Sequence, residues 1–381
     1  MINKLCSFLL LFCFTLNFKA QTTPAFGPEI PVNFIGVTTD AMEPHLSPDG
    51  NALFFNSLND GITTSLFYGG KINDSTFQLV GAVPIVNQAT TPRLDAVASL
   101  DTANNFYWVS TRNYPFDFDN LHRIRFLQSG YTNFGRVHGN FYIYSPGWLI
   151  MDAAISHYGE QLIYCNAYFN NCTGVPCKAS LGIADKINDS TFNKTANSGA
   201  ILAALNDTAN YIVYAPQLTE DGLELYFTRL AHASTNTEIC VATRNNVSDP
   251  FGIPTVLISS PGNLPEAATI STDKSKIYYH KKEGGIFKLF LRYRTLATSV
   301  SEQKELAAKF YPNPAHEKIV IEYNSSEHFH ISISNVWGEI VLLEKDCLQS
   351  KELAIDKLKA GTYFVEIESG QKRTMQKLIK Q

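Results

Sequence analysis

Charge is scarce in this chain. Only 17% of its 381 residues are Asp, Glu, Lys or Arg, and the formal net charge is −4. No basic stripe stands out, which argues against nucleic acid as a partner. Cysteine is scarce as well: there are seven, and Cys6 and Cys13 fall within the first twenty residues. The others, Cys165, Cys172, Cys177, Cys240 and Cys347, are odd in number and scattered, which excludes a disulfide scaffold. Cys172 and Cys177 are spaced to close one small loop in an oxidising compartment, while Cys165 and Cys240 lie inside strand patterns and read as buried thiols. After the first twenty residues no stretch approaches the roughly 18 apolar residues of a spanning helix. Sequences of the GxSxG, HExxH and Walker kinds are missing, and no Ser-His-Asp order stands out. His328 and His330 share a strand face, but two histidines make no metal site, so neither metal nor cofactor is expected.

Aromatic residues are plentiful, at 12%, which with the low charge suits an exported all-β protein. Residues 1–20 read as a signal peptide: Lys4 supplies the positive start, Phe8–Phe18 the apolar run, and Ala20 a small residue before the cut. Its removal takes away Lys4 and Lys19, so the formal charge moves from −4 to −6.

The heptapeptide KINDSTF occurs twice, at Lys71–Phe77 and Lys186–Phe192, and signals a repeat architecture. Five four-residue turns punctuate the chain, starting at Ser47, Ser99, Ser156, Thr219 and Ser271, with spacings of 52, 57, 63 and 52 residues. An alternating aromatic strand follows each turn, for example NFYWVST at 105–111 and LELYFTR at 223–229. A third strand comes next, then a turn reaching Phe77, Phe134, Phe192 or Phe251, and an irregular fourth strand. Four strands in about 50 residues is the size of a propeller blade. The fifth repeat ends near Thr295 without a fourth strand, and the unassigned Phe26–Phe34 segment is expected to supply it and close the ring. Residues 21–295 are therefore read as a five-bladed β-propeller, six-bladed being the alternative.

Ser47-Pro48-Asp49-Gly50 and Thr219-Glu220-Asp221-Gly222 resemble the WD-like repeats of TolB-type propellers. Ser99-Leu100-Asp101-Thr102 and Ser271-Thr272-Asp273-Lys274 lack the glycine, and Ser156-His157-Tyr158-Gly159 lacks the aspartate. The Asp is expected to accept backbone N–H bonds in its turn while Gly takes a positive φ.

Composition changes after Arg294. Residues 296–308 read as a linker, and 309–381 as a small β-sandwich of short strands. Tyr311-Pro312-Asn313-Pro314, the Asn335-to-Gly338 turn, Gly361-Thr362-Tyr363 and the basic ending with Lys380 closely resemble the C-terminal sorting domain of the bacterial type IX secretion system. The resemblance implies passage through the periplasm and across the outer membrane, the secretion machinery as partner, and release or attachment at the cell surface.

Two sets of residues are candidates for function. The first-to-second-strand turns share one face of a propeller, and the opposite face carries Tyr114, Phe116, Trp148, Tyr168 and Phe169, expected to bind a glycan or protein without catalysis. The second set is Glu43, Asp95 and Asp152, each four residues before its turn, where blades four and five have Ala215 and Ala267. Clustered at the axis, these carboxyls would raise one another's pKa, as the general acid of a glycan-acting hydrolase requires. The alternative is that they bond backbone N–H groups where blades meet.

Overall fold

A computed structural model describes residues 23–127, 130–172, 174–232, 234–295, 308–323, 327–337, 339–369 and 372–381. The expected leader, residues 1–20, all of the expected linker but Ala308, and Gly338 lie outside the described residues. The chain divides into two compact units, at Leu296 and Ala297.

The first unit is a β-propeller of five sheets whose successive blade strands pair antiparallel. Blade one contains Met42–Leu46, Ala52–Asn56, Leu66–Asn73 and Thr76–Ala82; blade two contains Arg93–Leu100, Asn105–Ser110, Leu121–Leu127 and Gly130–Arg136. Blade three runs from Trp148–Ile155 through Gln161–Tyr168 and Lys178–Asn188 to Thr191–Lys194. Blade four has Tyr211–Leu218, Glu224–Ala231, Thr237–Thr243 and Thr255–Ser259, and blade five Glu266–Ile270, Lys276–Glu283 and Ile286–Thr295. The five first strands touch one another in cyclic order, so the ring closes.

Burial follows position in the blade. All six residues of Asn105–Ser110 are buried, because neighbouring blades cover both faces of a second strand. Outer strands such as Thr76–Ala82 alternate between covered and open positions. Aromatic rings bridge the blades: Phe54 meets Phe106 at 5.2 Å between blades one and two, and Phe26 meets Tyr226 at 6.4 Å between blades five and four.

The turns behave as their chemistry requires. Asp49 accepts the hydroxyl of Ser47 at 2.5 Å and the N–H of Asn51 at 3.0 Å, and Asp221 and Asp273 repeat the pattern. Lys274 takes the glycine's positive φ, 58°, whereas in blade two the turn falls two residues later than the expected Ser99–Thr102 tetrad: Asp101 opens it, accepting the N–H of Asn104 on its carbonyl at 3.1 Å, and Asn104 has φ 63°. The two copies of KINDSTF form the same hairpin. Asn73 and Asn188 each accept the N–H two residues on, at 3.0 Å in both. Phe77 and Phe192 are then fully buried, edge-on to Tyr278 and Tyr107 of the preceding blade. Phe134 does not share this role. In blade two Gly130 pairs with Leu127, so Tyr131 stands where the other hairpins have Phe77 and Phe192, and Phe134 lies three residues farther along, half-exposed beside Trp108.

Ring closure is more divided than the sequence suggests. Ala25–Phe26 and Ile30–Pro31 pair antiparallel with Ile286–Thr295, as expected, but Asn33–Ile35 crosses to blade one and runs parallel to Thr76–Ala82. Phe34 is pressed over Gly69, where a Cβ would stand only 2.3 Å from its ring, so this position admits glycine alone.

The second unit is a β-sandwich. One sheet is Ala308–Tyr311, Lys318–Tyr323 and Ser350–Ala354; the other is Phe329–Asn335, Ile340–Cys347, Gly361–Ser369 and Lys372–Lys380. Ile319, Ile321, Ile331, Ile333, Val365 and Ile367 fill the space between them. Ala308, assigned from sequence to the linker, opens the first strand.

Candidate functional site

Each first strand is bulged where it passes the axis, and Glu43, Val97, Ala215 and Ala267 take positive φ there. A bulge frees a backbone N–H from the ladder, and a side chain of the preceding blade receives it. Glu43 donates to His280 Nδ1 at 3.0 Å, Val97 to Asn56 at 3.3 Å, Ala215 to Asp152 at 3.2 Å and Ala267 to Thr228 at 3.0 Å.

This ring of latches decides the fate of the acidic trio. Asp152 is spent on one latch. Asp95 turns into blade two, fully buried, and receives Arg112 at 2.7 Å, the N–H of Gln88 at 2.7 Å and the Trp108 indole at 3.3 Å. At the axis blade two contributes Val97 and Ala98 instead, so the three expected carboxyls do not assemble.

Glu266 of blade five joins Glu43 and Asp152 electrostatically. It sits one residue before the position the repeat register marks, so alignment alone passes over it; its partner His280 Nε2 lies 3.6 Å away. Burial, then the charges of Asp152 and Glu266, hold the Glu43 carboxyl well above the usual range, against a bond from Asn59. Burial pushes Asp152 up to about 7, with the Ala215 N–H opposing and the Glu266 charge adding. The chamber they face is small, about 30 Å³, room for one water.

On the opposite end from the turns, the loops of blades two and three lock together. The hydroxyl of Tyr114 accepts the N–H of Gly147 at 2.9 Å. Asp117 pairs with Arg136, while Asp119 meets His138 at 2.6 Å and accepts the Tyr144 hydroxyl at 2.9 Å. Asn120 bonds both the N–H and the carbonyl of Ile150. An aromatic chain runs Tyr114–Phe118–Tyr144–Tyr142–Phe141.

Trp148 and Tyr168 are cross-strand neighbours with rings 5.3 Å apart. Gly147 beside them has φ +92° and would bring a Cβ to 2.7 Å from Asn170, so only glycine lets the loop approach. Cys172 and Cys177 are disulfide-bonded, closing the loop beyond Tyr168. Of the aromatics named from sequence, Phe116 is 96% exposed, Tyr168 and Trp148 are half-buried, and Phe169 packs against the core.

Beside these loops a groove of about 390 Å³ is lined by Arg112, Asn113, His122, Phe134, Arg136 and His138. Sequence reading missed it because its residues come from three separate segments of blade two. Among the described residues, no three or more His, Cys, Asp or Glu side chains gather to hold a metal ion.

In the sandwich, Asn313 explains part of the tail motif. Its amide donates to the Lys377 carbonyl at 2.6 Å and accepts the Ile379 N–H at 2.9 Å, tying the opening loop to the last strand. Tyr311 is half-exposed, flanked by cis peptides to Pro312 and, after Asn313, to Pro314. Gly361 pairs with Lys380, and Tyr363 donates its hydroxyl to the Lys359 carbonyl at 3.0 Å.

Residues 309–381 match the family described as the secretion system C-terminal sorting domain. The tail is a type IX sorting domain. It implies interaction with the secretion machinery and export, to secretion or to attachment at the cell surface. Among the described residues no helix is long and apolar enough to cross a membrane.

No curated protein matches this chain. Solved structures similar to it include PorZ, a surface component of the type-IX secretion system of Porphyromonas gingivalis, at 11% identity and TM-score 0.37, covering 90% of this chain and 51% of that one. TolB from Acinetobacter baumannii is similar at 12% identity and TM-score 0.37, covering 68% and 55%. A family 117 glycoside hydrolase from Zobellia galactanivorans gives 11% identity and TM-score 0.49, covering 71% and 90%. The chain thus spans about half the length of the first two.

Proposed function

We propose that the exported propeller is a non-catalytic binding module, recognising a glycan or protein through the loop face of blades two and three. The observation that carries this reading is the locking of the two loops: Tyr114 to Gly147, and Asp119 to both His138 and Tyr144. A surface ordered before its ligand arrives loses little entropy on binding. Half-buried Trp148 and Tyr168 and the open ring of Phe116 offer aromatic area on that surface.

A second reading, a glycan-acting hydrolase, rests on the raised carboxyls of Glu43 and Asp152 and on Glu43 Oε2, which has no hydrogen-bond partner among the described residues. Against it, Asp152 is engaged with Ala215, Asp95 with Arg112, and a chamber of about 30 Å³ does not admit a sugar ring.

The full chain, incubated with a panel of polysaccharides and peptides, separates the two. Binding without turnover, weakened by W148A or Y168A, is the expected result. Hydrolysis abolished by Glu43→Gln or Asp152→Asn would replace the binding reading with the enzymatic one.

A further inference from the structure

We propose that the blade-two groove is a subsite for the anionic group of an acidic sugar, a carboxylate or a sulfate ester. This deepens the binding reading above and rests on it. The groove opens where Arg112 and Asn113 leave the second strand and Arg136 and His138 leave the fourth, beside the locked loops.

Its charged lining is cationic. Arg112, Arg136 and His138 face it, and each is backed by a carboxylate that does not line it: Asp95 at 2.7 Å, Asp117, and Asp119 at 2.6 Å. The carboxylates fix these side chains in place but leave guanidinium donors over. Arg112 commits Nε to Ser110 and Nη2 to Val86 and Asp95, while Nη1 has no protein partner among the described residues. Among the described residues Arg136 uses only Nη1. Fixed guanidinium edges with spare N–H groups suit planar or tetrahedral oxyanions.

His122 supplies an independent observation. Its residue is 2% exposed, yet neither ring nitrogen has a hydrogen-bond partner among the described residues. The ring stacks on Trp108 at 5.3 Å and stands 6.4 Å from Phe134, held by apolar contacts with its polar edge unused. Buried polar groups are ordinarily satisfied, so an imidazole in the groove's lining whose covered nitrogens have no partner among the described residues is a hydrogen-bonding demand that a ligand oxygen reaching that wall would meet.

Phe134 then indicates what carries the anion. It is 47% exposed, with Arg112 packed 5.6 Å from its ring centre, leaving the rest of the ring open to the groove. An apolar ring face beside a row of donors matches a pyranose, which presents C–H groups on one face and hydroxyls and an acid at its edges. The groove's volume of about 390 Å³ falls in the range of small-molecule sites.

The test is calorimetric titration of the full chain at low salt with an oligogalacturonate, a sulfated galactan oligosaccharide, a neutral oligosaccharide of equal length and an oligoglutamate peptide. The two acidic sugars distinguish carboxylate from sulfate. At least one is expected to bind, weakening with added salt, while the neutral sugar and the peptide do not. Arg136→Gln, Phe134→Ala and His122→Phe should each weaken that binding at least tenfold. His122→Phe keeps an aromatic ring against Trp108 while removing the nitrogens, and Arg136→Gln, at a half-exposed position, keeps the test alive if either ring variant fails to fold. Thermal melts identify any misfolded variant. Acidic-sugar binding indifferent to all three variants overturns the subsite, and an oligoglutamate bound equally well overturns the sugar class. Neutral-sugar binding lost only in Trp148→Ala overturns the subsite while leaving the binding propeller standing; no binding of any probe overturns the subsite.

Discussion

Asp152 shows how one carboxyl can look catalytic in sequence and serve the scaffold in the fold. It accepts the N–H of Ala215 across a blade junction, and burial raises its pKa to about 7 from an ordinary 3.8. A raised pKa means the folded state holds the proton more tightly than the unfolded chain does. The stability linked to it is full below pH 3.8 and is lost as pH rises to about 7. Asp152→Asn, neutral at every pH, should flatten that loss, so urea titrations of the two proteins at pH 4 and pH 7.5 should show a smaller difference for the variant. Asp95 makes the complementary point. Its position in the repeat is the same, but Arg112, arriving from the strand end after Ser110, draws it off the axis. Nothing in the repeat register announces that guanidinium.

The hairpin is the element in which sequence and structure agree most directly. KINDSTF contains its own instructions: Asn73 or Asn188 caps the turn, Lys71 or Lys186 pairs with the Asp three residues on, and the final Phe is delivered to a neighbour's tyrosine. Phe77→Ala and Phe192→Ala should each cost about 3–5 kcal/mol, since both rings are fully buried. Phe134→Ala should cost only about 1 kcal/mol, because roughly half the ring is already in water. Chemical denaturation midpoints of the three variants check the contrast. Phe134 was legible as an aromatic near a turn, but its register was not. Gly130 pairs with Leu127 as Thr76 pairs with Asn73, so Tyr131 takes the place of Phe77, and strand pairing rather than spacing places Phe134 at the groove.

For the whole molecule, the N-terminal segment stitches the ring at two places. It gives blade five its outer edge through Ala25–Phe26 and Ile30–Pro31, then clamps blade one through Phe34. Removing residues 23–36 should expose the edge of Ile286–Thr295 and lead to self-association, seen as a concentration-dependent mass in light scattering. A chain truncated after residue 308 should instead keep its propeller and accumulate in the periplasm. Cell fractionation reads that outcome, and undiminished export of the truncated chain would contradict the role of the sorting domain.

By itself the sequence determined the repeat, the strand order, the closure by the N-terminal segment onto the last blade, and the sorting tail. Each of these is written in local signals: period-2 alternation, Asp and Gly in tight turns, and a motif whose Asn313 bonds the final strand. Tertiary structure alone decided which acids meet. The bulges at Glu43, Ala215 and Ala267 rotate the axial backbone and consume Asp152, while Glu266 enters from an adjacent register. It also built the groove, by stacking His122 and Phe134 against Trp108 from three strands of blade two. Local patterns fix what a strand does with its own backbone. Only the closing of the ring, which sets blade against blade, determines which side chains are left with partners and which remain open to a ligand.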